Sequence, residues 1–155
     1  IAALGVEYLS KAHTQEKLMG TIIDTVFNVG QKLFGLRNEL AKARQSRKQT
    51  VADFLATIAQ TIEEASAQLK QGTYPHGKCQ ELLSHSQHME AAIGDLIGEA
   101  QAKDLGSQLA EVYEIERLHA ELSGDTDSQR HRQLSVLDQA AGQFRATAAF
   151  VRVSP

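Results

Sequence analysis

Val51, Phe54, Leu55, Ile58, Ala59, Ile62, Ala65 and Leu69 recur at the i, i+3, i+4, i+7 spacing that aligns them along one side of an α-helix for about five turns. Nowhere does the chain alternate apolar and polar residues as a half-buried strand does, and its only prolines are Pro75 and Pro155. A chain patterned in this way must set its apolar stripes against one another. Short connections then make sequential helices antiparallel. The expectation is an all-α, antiparallel helical bundle of about five to six helices, a single domain over residues 1–155.

Glycine followed by a polar cap punctuates the pattern. Gly20 before Thr21 and Asp24 reads as one helix stopping and the next starting, and Gly72 before Thr73 and Pro75 repeats the signal. Gly124 with Asp125 or Asp127 does so again, and Thr50 with Asp53 resembles a capping box. These signals predict helices near 3–19, 21–48, 50–71, 75–97, 102–122 and 128–151. Gly94 and Gly98 weaken the end of the fourth by about 1 kcal/mol each relative to alanine. Many core positions are alanine or glycine, which favours close helix packing.

At 155 residues, with 42% apolar and 23% charged residues, the chain is too hydrophobic for disorder and long enough for one buried core. The single cysteine excludes an intrachain disulfide and points to a reducing, cytoplasmic setting. No apolar run approaches the ~18 residues of a membrane span, and no secretory signal is visible. The chain starts Ile1-Ala2-Ala3, as a piece excised from a longer protein would.

Charge is segregated beneath a net −3. Residues 1–50 carry eight Lys/Arg against four Asp/Glu, residues 51–128 four against fourteen, and residues 129–155 four against one. Basic and acidic helices packed as neighbours would neutralise one another; a basic face would instead meet an anionic surface.

The second segment is where that basic face is expected. Ile22, Ile23, Val26, Phe27, Val29, Leu33, Phe34, Leu36 and Leu40 make its apolar side broad, and Arg37, Arg44 and Lys48 continue the same line. As one helix it would run about 42 Å and outreach its neighbours. The candidate partner or membrane surface is therefore Phe27, Phe34, Arg37, Lys42, Arg44, Arg47 and Lys48.

Residues Gly72 to Cys79 come within one residue of the phosphate-binding signature G-x-x-x-x-G-K-[ST]. The motif needs a buried strand before its glycine-rich turn, and here the preceding residues are helical in pattern. Cys79 also replaces the hydroxyl that would meet Mg²⁺. The segment reads as a helical hairpin corner: Gly72 ends one helix, Thr73 or Tyr74 caps the next, Pro75 sits in its first turn, and Cys79 begins the buried face.

Other constellations fail on geometry. His76, Cys79, His85 and His88 have zinc-ligand side chains, but Cys79 and His88 fall about 180° apart on a helix. Glu81, His85 and His88 lie within about 60° on an exposed face, suited to adventitious metal only. Glu116-Arg117-Leu118-His119 matches half of a di-iron carboxylate motif, and no second Glu-x-x-His exists. No oxyanion loop or orienting group accompanies Cys79 for nucleophilic chemistry. A pI of about 6.1 and 5% aromatic residues speak against nucleic-acid binding.

No catalytic residue and no cofactor is therefore expected. The favoured reading is a non-catalytic module for protein–protein interaction or oligomerisation, resting on the broad apolar face of residues 22–40. The alternative is a membrane-surface-acting bundle, disrupting or signalling, that lays helix 21–48 on an anionic bilayer. A small-ligand sensor with a pocket of Phe27, Phe34 and Phe54 is a weaker third.

Overall fold

Thr21 opens the first of the described helices in the computed structural model, which describes residues 21–155 apart from the side chains of Tyr113, Ile115 and Glu116. The helix expected near 3–19, with Gly5 and Gly20, lies outside the described residues. The Thr21 hydroxyl accepts from the Asp24 amide at 3.1 Å, the cap that the sequence signals. The described elements are α1 (Ile22–Gly35), α2 (Arg37–Leu40), α3 (Gln45–Lys70), α4 (His76–Ile97), α5 (Glu99–Leu109), a 3-10 turn (Ala110–Tyr113), α6 (Ile115–Ser123) and α7 (Asp127–Val153). No strand occurs among the described residues.

The expected helix 21–48 is three pieces. It stops at Leu36, whose amide bonds both Lys32 and Leu33 carbonyls, and resumes as the single turn α2. A second turn then sends the chain back as α3. The break brings Leu40 and Ala43 into the core at 0% and 5% exposure, where a straight helix would carry them past the end of the bundle. Apolar period alone does not reveal it, because Leu36 and Leu40 keep the helical spacing across the interruption. Thr50 and Asp53 accordingly sit inside α3, which starts at Gln45. Asp53 accepts from Gln49 Nε2 at 2.8 Å instead of capping.

Gly72 does end α3 as expected. At φ +81° it allows the Thr73 amide to reach Gln68 O at 2.9 Å and its own amide to reach Leu69 O at 3.0 Å, a Schellman closure. Pro75 is itself the cap residue of α4, not a first-turn residue, and neither Thr73 nor Tyr74 caps it. The expected helix 102–122 is also divided. Gly98 at φ +98° starts α5 three residues early, and Glu114 leaves helical geometry before α6. The cap of α7 is Thr126, in a full capping box with Gln129, rather than Asp125 or Asp127.

Cross-helix contacts give the directions. Arg47 meets Asp95, Phe54 meets His85 and Glu64 meets Lys78, so α3 and α4 are antiparallel. Asp53 with Arg152, Glu63 with Arg145 and Ser66 with Asp138 make α3 and α7 antiparallel too. Thr21 against Gln133 and Gly30 against Phe144 run α1 parallel to α7. The break at Leu36 permits this, because α3 rather than α1 supplies the antiparallel neighbour of α7.

Two glycines mark close approaches. A Cβ on Gly106 of α5 would stand 2.6 Å from the Ser86 carbonyl oxygen of α4, and one on Gly30 would stand 3.1 Å from the Phe144 ring. One core runs through the bundle, with Ile22, Leu33, Leu55, Ile58, Ile62, Met89, Ile93, Leu105, Leu109 and Phe144 almost fully enclosed. No helix among the described residues is long and apolar enough to cross a membrane.

Candidate functional site: the groove between α3 and α4

The broad apolar face of residues 22–40 is used inside the molecule. Ile22, Ile23, Val26, Val29, Leu33 and Leu40 are each no more than 2% exposed, and Phe27, Phe34 and Leu36 are partly covered. Val153 is the one large hydrophobic side chain standing exposed among the described residues. The feature that suggested a partner-binding face thus forms core against the other helices.

The seven residues expected to share a surface are dispersed. Arg37 lays its guanidinium 4.4 Å from the Phe34 ring centre and 5.6 Å from that of Phe150, and donates to Phe34 O at 2.9 Å. Phe27 is half-buried beside the core. Lys42 and Arg44 are exposed in the turn before α3. Arg47 is bound to α4, donating to both Asp95 oxygens and to Ala92 O at 2.9 Å. Lys48 is a correction: it is 4% exposed, and its ammonium donates to the backbone oxygens of Ser154 at 3.0 Å and Pro155 at 2.7 Å. A cation at the C-terminal end of α7 meets orphan carbonyls and the negative end of the helix dipole, which draws it inward.

The Gly72–Cys79 corner is occupied by structural contacts. Lys78 pairs with Glu64 and, at 3.0 Å, with Glu81. Tyr74 packs its ring against His119 at a 58° tilt, ring centres 4.2 Å apart. Cys79 is 4% exposed, on the buried face as expected, and burial pushes its thiol up to about 11, away from nucleophilic use. It borders an interior gap of about 20 Å³ walled by Ile22, Ile62, Leu82 and Leu137, among others. That volume holds no ligand, and its apolar wall offers nothing to a water.

Glu81, His85 and His88 do not converge. Glu81 turns to Lys78. His88 Nδ1 stands 2.7 Å from the Ser84 carbonyl, which only accepts, so Nδ1 carries a proton. The Thr61 hydroxyl spends its hydrogen on Thr57 O at 2.9 Å, so the 3.4 Å contact with His85 Nε2 uses an Nε2 proton. Among the described residues no three His, Cys, Asp or Glu side chains are gathered as metal ligands would be.

What His85 and His88 do share is a groove that the sequence did not mark. It holds about 430 Å³ between α3 and α4 and is lined by Arg47, Thr50, Val51, Phe54, His85, His88, Ala91 and Ala92. Phe54 forms its floor with His85 standing edge-on, centres 6.4 Å apart at 90°. Burial lowers the His85 pKa; nearby Glu81 partly opposes this and His88 adds to it. Beyond Arg47 and Ala91 the channel widens into a second groove of about 600 Å³, walled by Gln87, Glu90, Asp95 and Glu99. Phe54 joins this groove, whereas Phe34 lies with Arg37 and Phe150, so the three phenylalanines form no common pocket. The signal available in the sequence was the pair Ala91-Ala92, small side chains that leave room opposite Phe54.

No protein-family model matches the chain, and comparison with curated proteins and with solved structures finds no match.

Proposed function

We propose that this bundle is a non-catalytic interaction module that engages a protein partner, or a second copy of itself, along the groove between α3 and α4. The observation that carries this reading is the groove itself: apolar at Phe54, Val51, Ala91 and Ala92, polar at its rim, and open along two antiparallel helices. Its volume falls in the range that accommodates a recognition group. Helix pairs of this kind accept a side chain or short segment laid between them. The single, deeply buried cysteine supports a reducing, cytoplasmic setting as part of the same proposal. The membrane alternative keeps Arg37, Lys42 and Arg44 as exposed or half-exposed cations, but Arg47 and Lys48 are engaged within the fold.

Photo-crosslinking tests the reading. A benzoylphenylalanine in place of exposed Ala91, compared with one in place of exposed Gln139 on α7, is irradiated in cells that produce the protein. We expect an adduct from position 91, to a partner or to itself, that Thr50→Arg suppresses by filling the groove. Equal adducts from both positions, or none from 91, would overturn it.

A further inference from the structure

We propose that the α3–α4 groove takes a basic, amphipathic segment of a protein partner: a large apolar side chain of that segment seats on Phe54, and a lysine or arginine one helical turn further along meets Glu90 and Glu99. This rests on the reading of the groove as a docking site and names the chemistry of the chain that fills it.

Three observations lead there. The first is continuity: the apolar groove over Phe54 and the wider one beside it share Arg47 and Ala91, so one occupant can lie along both. Together they run beside α4 from His85 to Asp95, about 15 Å, enough for side chains i and i+4 of an incoming helix. The second is charge. Arg47, the one Lys or Arg in the two linings, is spent on Asp95 and on Ala92 O. Glu90 and Glu99 are exposed in the wider groove and have no ion-pair partner among the described residues. Beyond the other end, Lys78 is shared between Glu64 and Glu81, which leaves that trio negative as well. The third is hydrogen bonding. His85 uses Nε2 toward Thr61 and His88 uses Nδ1 toward Ser84. In the neutral ring the other nitrogen is an acceptor, so His85 Nδ1 and His88 Nε2 are open to a donor.

The apolar floor alone would accept any large hydrophobic side chain, and the charge chooses among its carriers. An acidic segment, a phosphate backbone or an anionic bilayer would bring like charge against Glu90 and Glu99, whereas a basic segment is drawn to them. Its N–H groups also suit the open imidazole nitrogens, where a carboxylate would set acceptor against acceptor. Both glutamates are exposed, so each acts weakly and in a salt-dependent way. Affinity therefore comes from the apolar anchor, and the selection of a basic partner from the charge beside it.

The probes are three acetylated, amidated peptides, Phe-Ala-Ala-Ala-Lys and its counterparts ending in Gln and in Glu, which share the ring and differ in charge. Each is titrated at low salt into isotope-labelled protein while amide resonances are followed. The Lys peptide should shift Val51, Phe54, Glu90, Ala91 and Ala92, with a Kd on the order of 1 mM for so small a ligand. It should bind at least about threefold tighter than the Gln peptide, and the Glu peptide should bind more weakly than either. Glu90→Gln combined with Glu99→Gln should bring the Lys peptide to the level of the Gln peptide and leave the Gln peptide unchanged, and Thr50→Arg should remove all three. Equal binding of the three, tighter binding of the Glu peptide, or a Lys preference that survives the double substitution overturns the cation preference and leaves the docking reading standing. Groove shifts that appear on concentrating the protein alone would make the occupant a second copy and overturn the assignment to a partner. Shifts outside the groove, or none with any probe, overturn the inference, while the crosslinking experiment judges the docking reading separately.

Discussion

The two sides of α3 are built to different ends. Toward α7 its register is held by Asp53–Arg152, Glu63–Arg145, Lys70–Asp138 and the Ser66 hydroxyl donating to Asp138 at 2.7 Å, over a core in which both helices bury alanines and large aliphatics. Toward α4 the ion pairs lie at the two ends, Arg47–Asp95 at one and Glu64–Lys78 at the other, and the middle stays open over Phe54 and His85. Exposed pairs contribute only about 0–1 kcal/mol each, so their service on both sides is to fix alignment. They also account for the segregated charge: α7 arginines meet α3 acids, and Arg47 from the basic third meets the acidic middle. One seam is closed to make the fold, and the other is left partly unfilled.

A matched pair of deletions measures that difference. Phe144→Ala removes a fully enclosed ring packed on Gly30 and should cost about 3–5 kcal/mol in urea denaturation. Phe54→Ala removes the same ring from the groove floor, already partly open, and should cost about 1–2 kcal/mol. Equal losses would mean that the α3–α4 seam is as much core as the other, and the groove no more than a surface crease.

Lys48→Met falls between these two, because it keeps the aliphatic stem and deletes two charge-assisted hydrogen bonds to the end of α7. A loss of about 1.5–3 kcal/mol is expected, with faster amide hydrogen exchange confined to the last turn of α7. Uniform acceleration across the bundle would show that Lys48 supports the core at large rather than that one helix end.

These residues also show what a sequence can carry. Thr21 with Asp24, Gly72 and the stripe from Val51 to Leu69 were legible because each is a local rule: a hydroxyl near a free amide, a residue tolerant of positive φ, a period of 3.6. The breaks at Leu36 and Glu114 were not, since apolar spacing continues across both and only the place where Leu40 and Leu118 must land decides the interruption. Lys48 was read as surface because burial of a lysine depends on where a helix terminus over a hundred positions away comes to rest. The groove escaped for a related reason. Phe54 belongs to a core stripe by spacing, and only the alanines opposite it, on another helix, leave it partly uncovered.

The smallest effect separates the seams by pH. Burial lowers the His85 pKa in the folded protein, so below the unfolded value of about 6.5 the unfolded chain binds the proton more readily and stability falls. The contribution is fully present above that value and fades as pH drops through the window just beneath it. On the α7 side the shifted group is a carboxylate. Burial pushes the Asp138 carboxyl up, but hydrogen bonds from Lys70 and Ser66 outweigh this and hold it below its ordinary range, so its stabilising contribution is lost only under strongly acidic conditions. Thermal melts from pH 8 to pH 5.5 should therefore show a modest fall in Tm that His85→Gln flattens and that Asp138→Asn leaves in place. A fall that His85→Gln does not reduce would assign it to other histidines, and the α3–α4 seam would lose its distinction as the side of the bundle that responds near neutral pH.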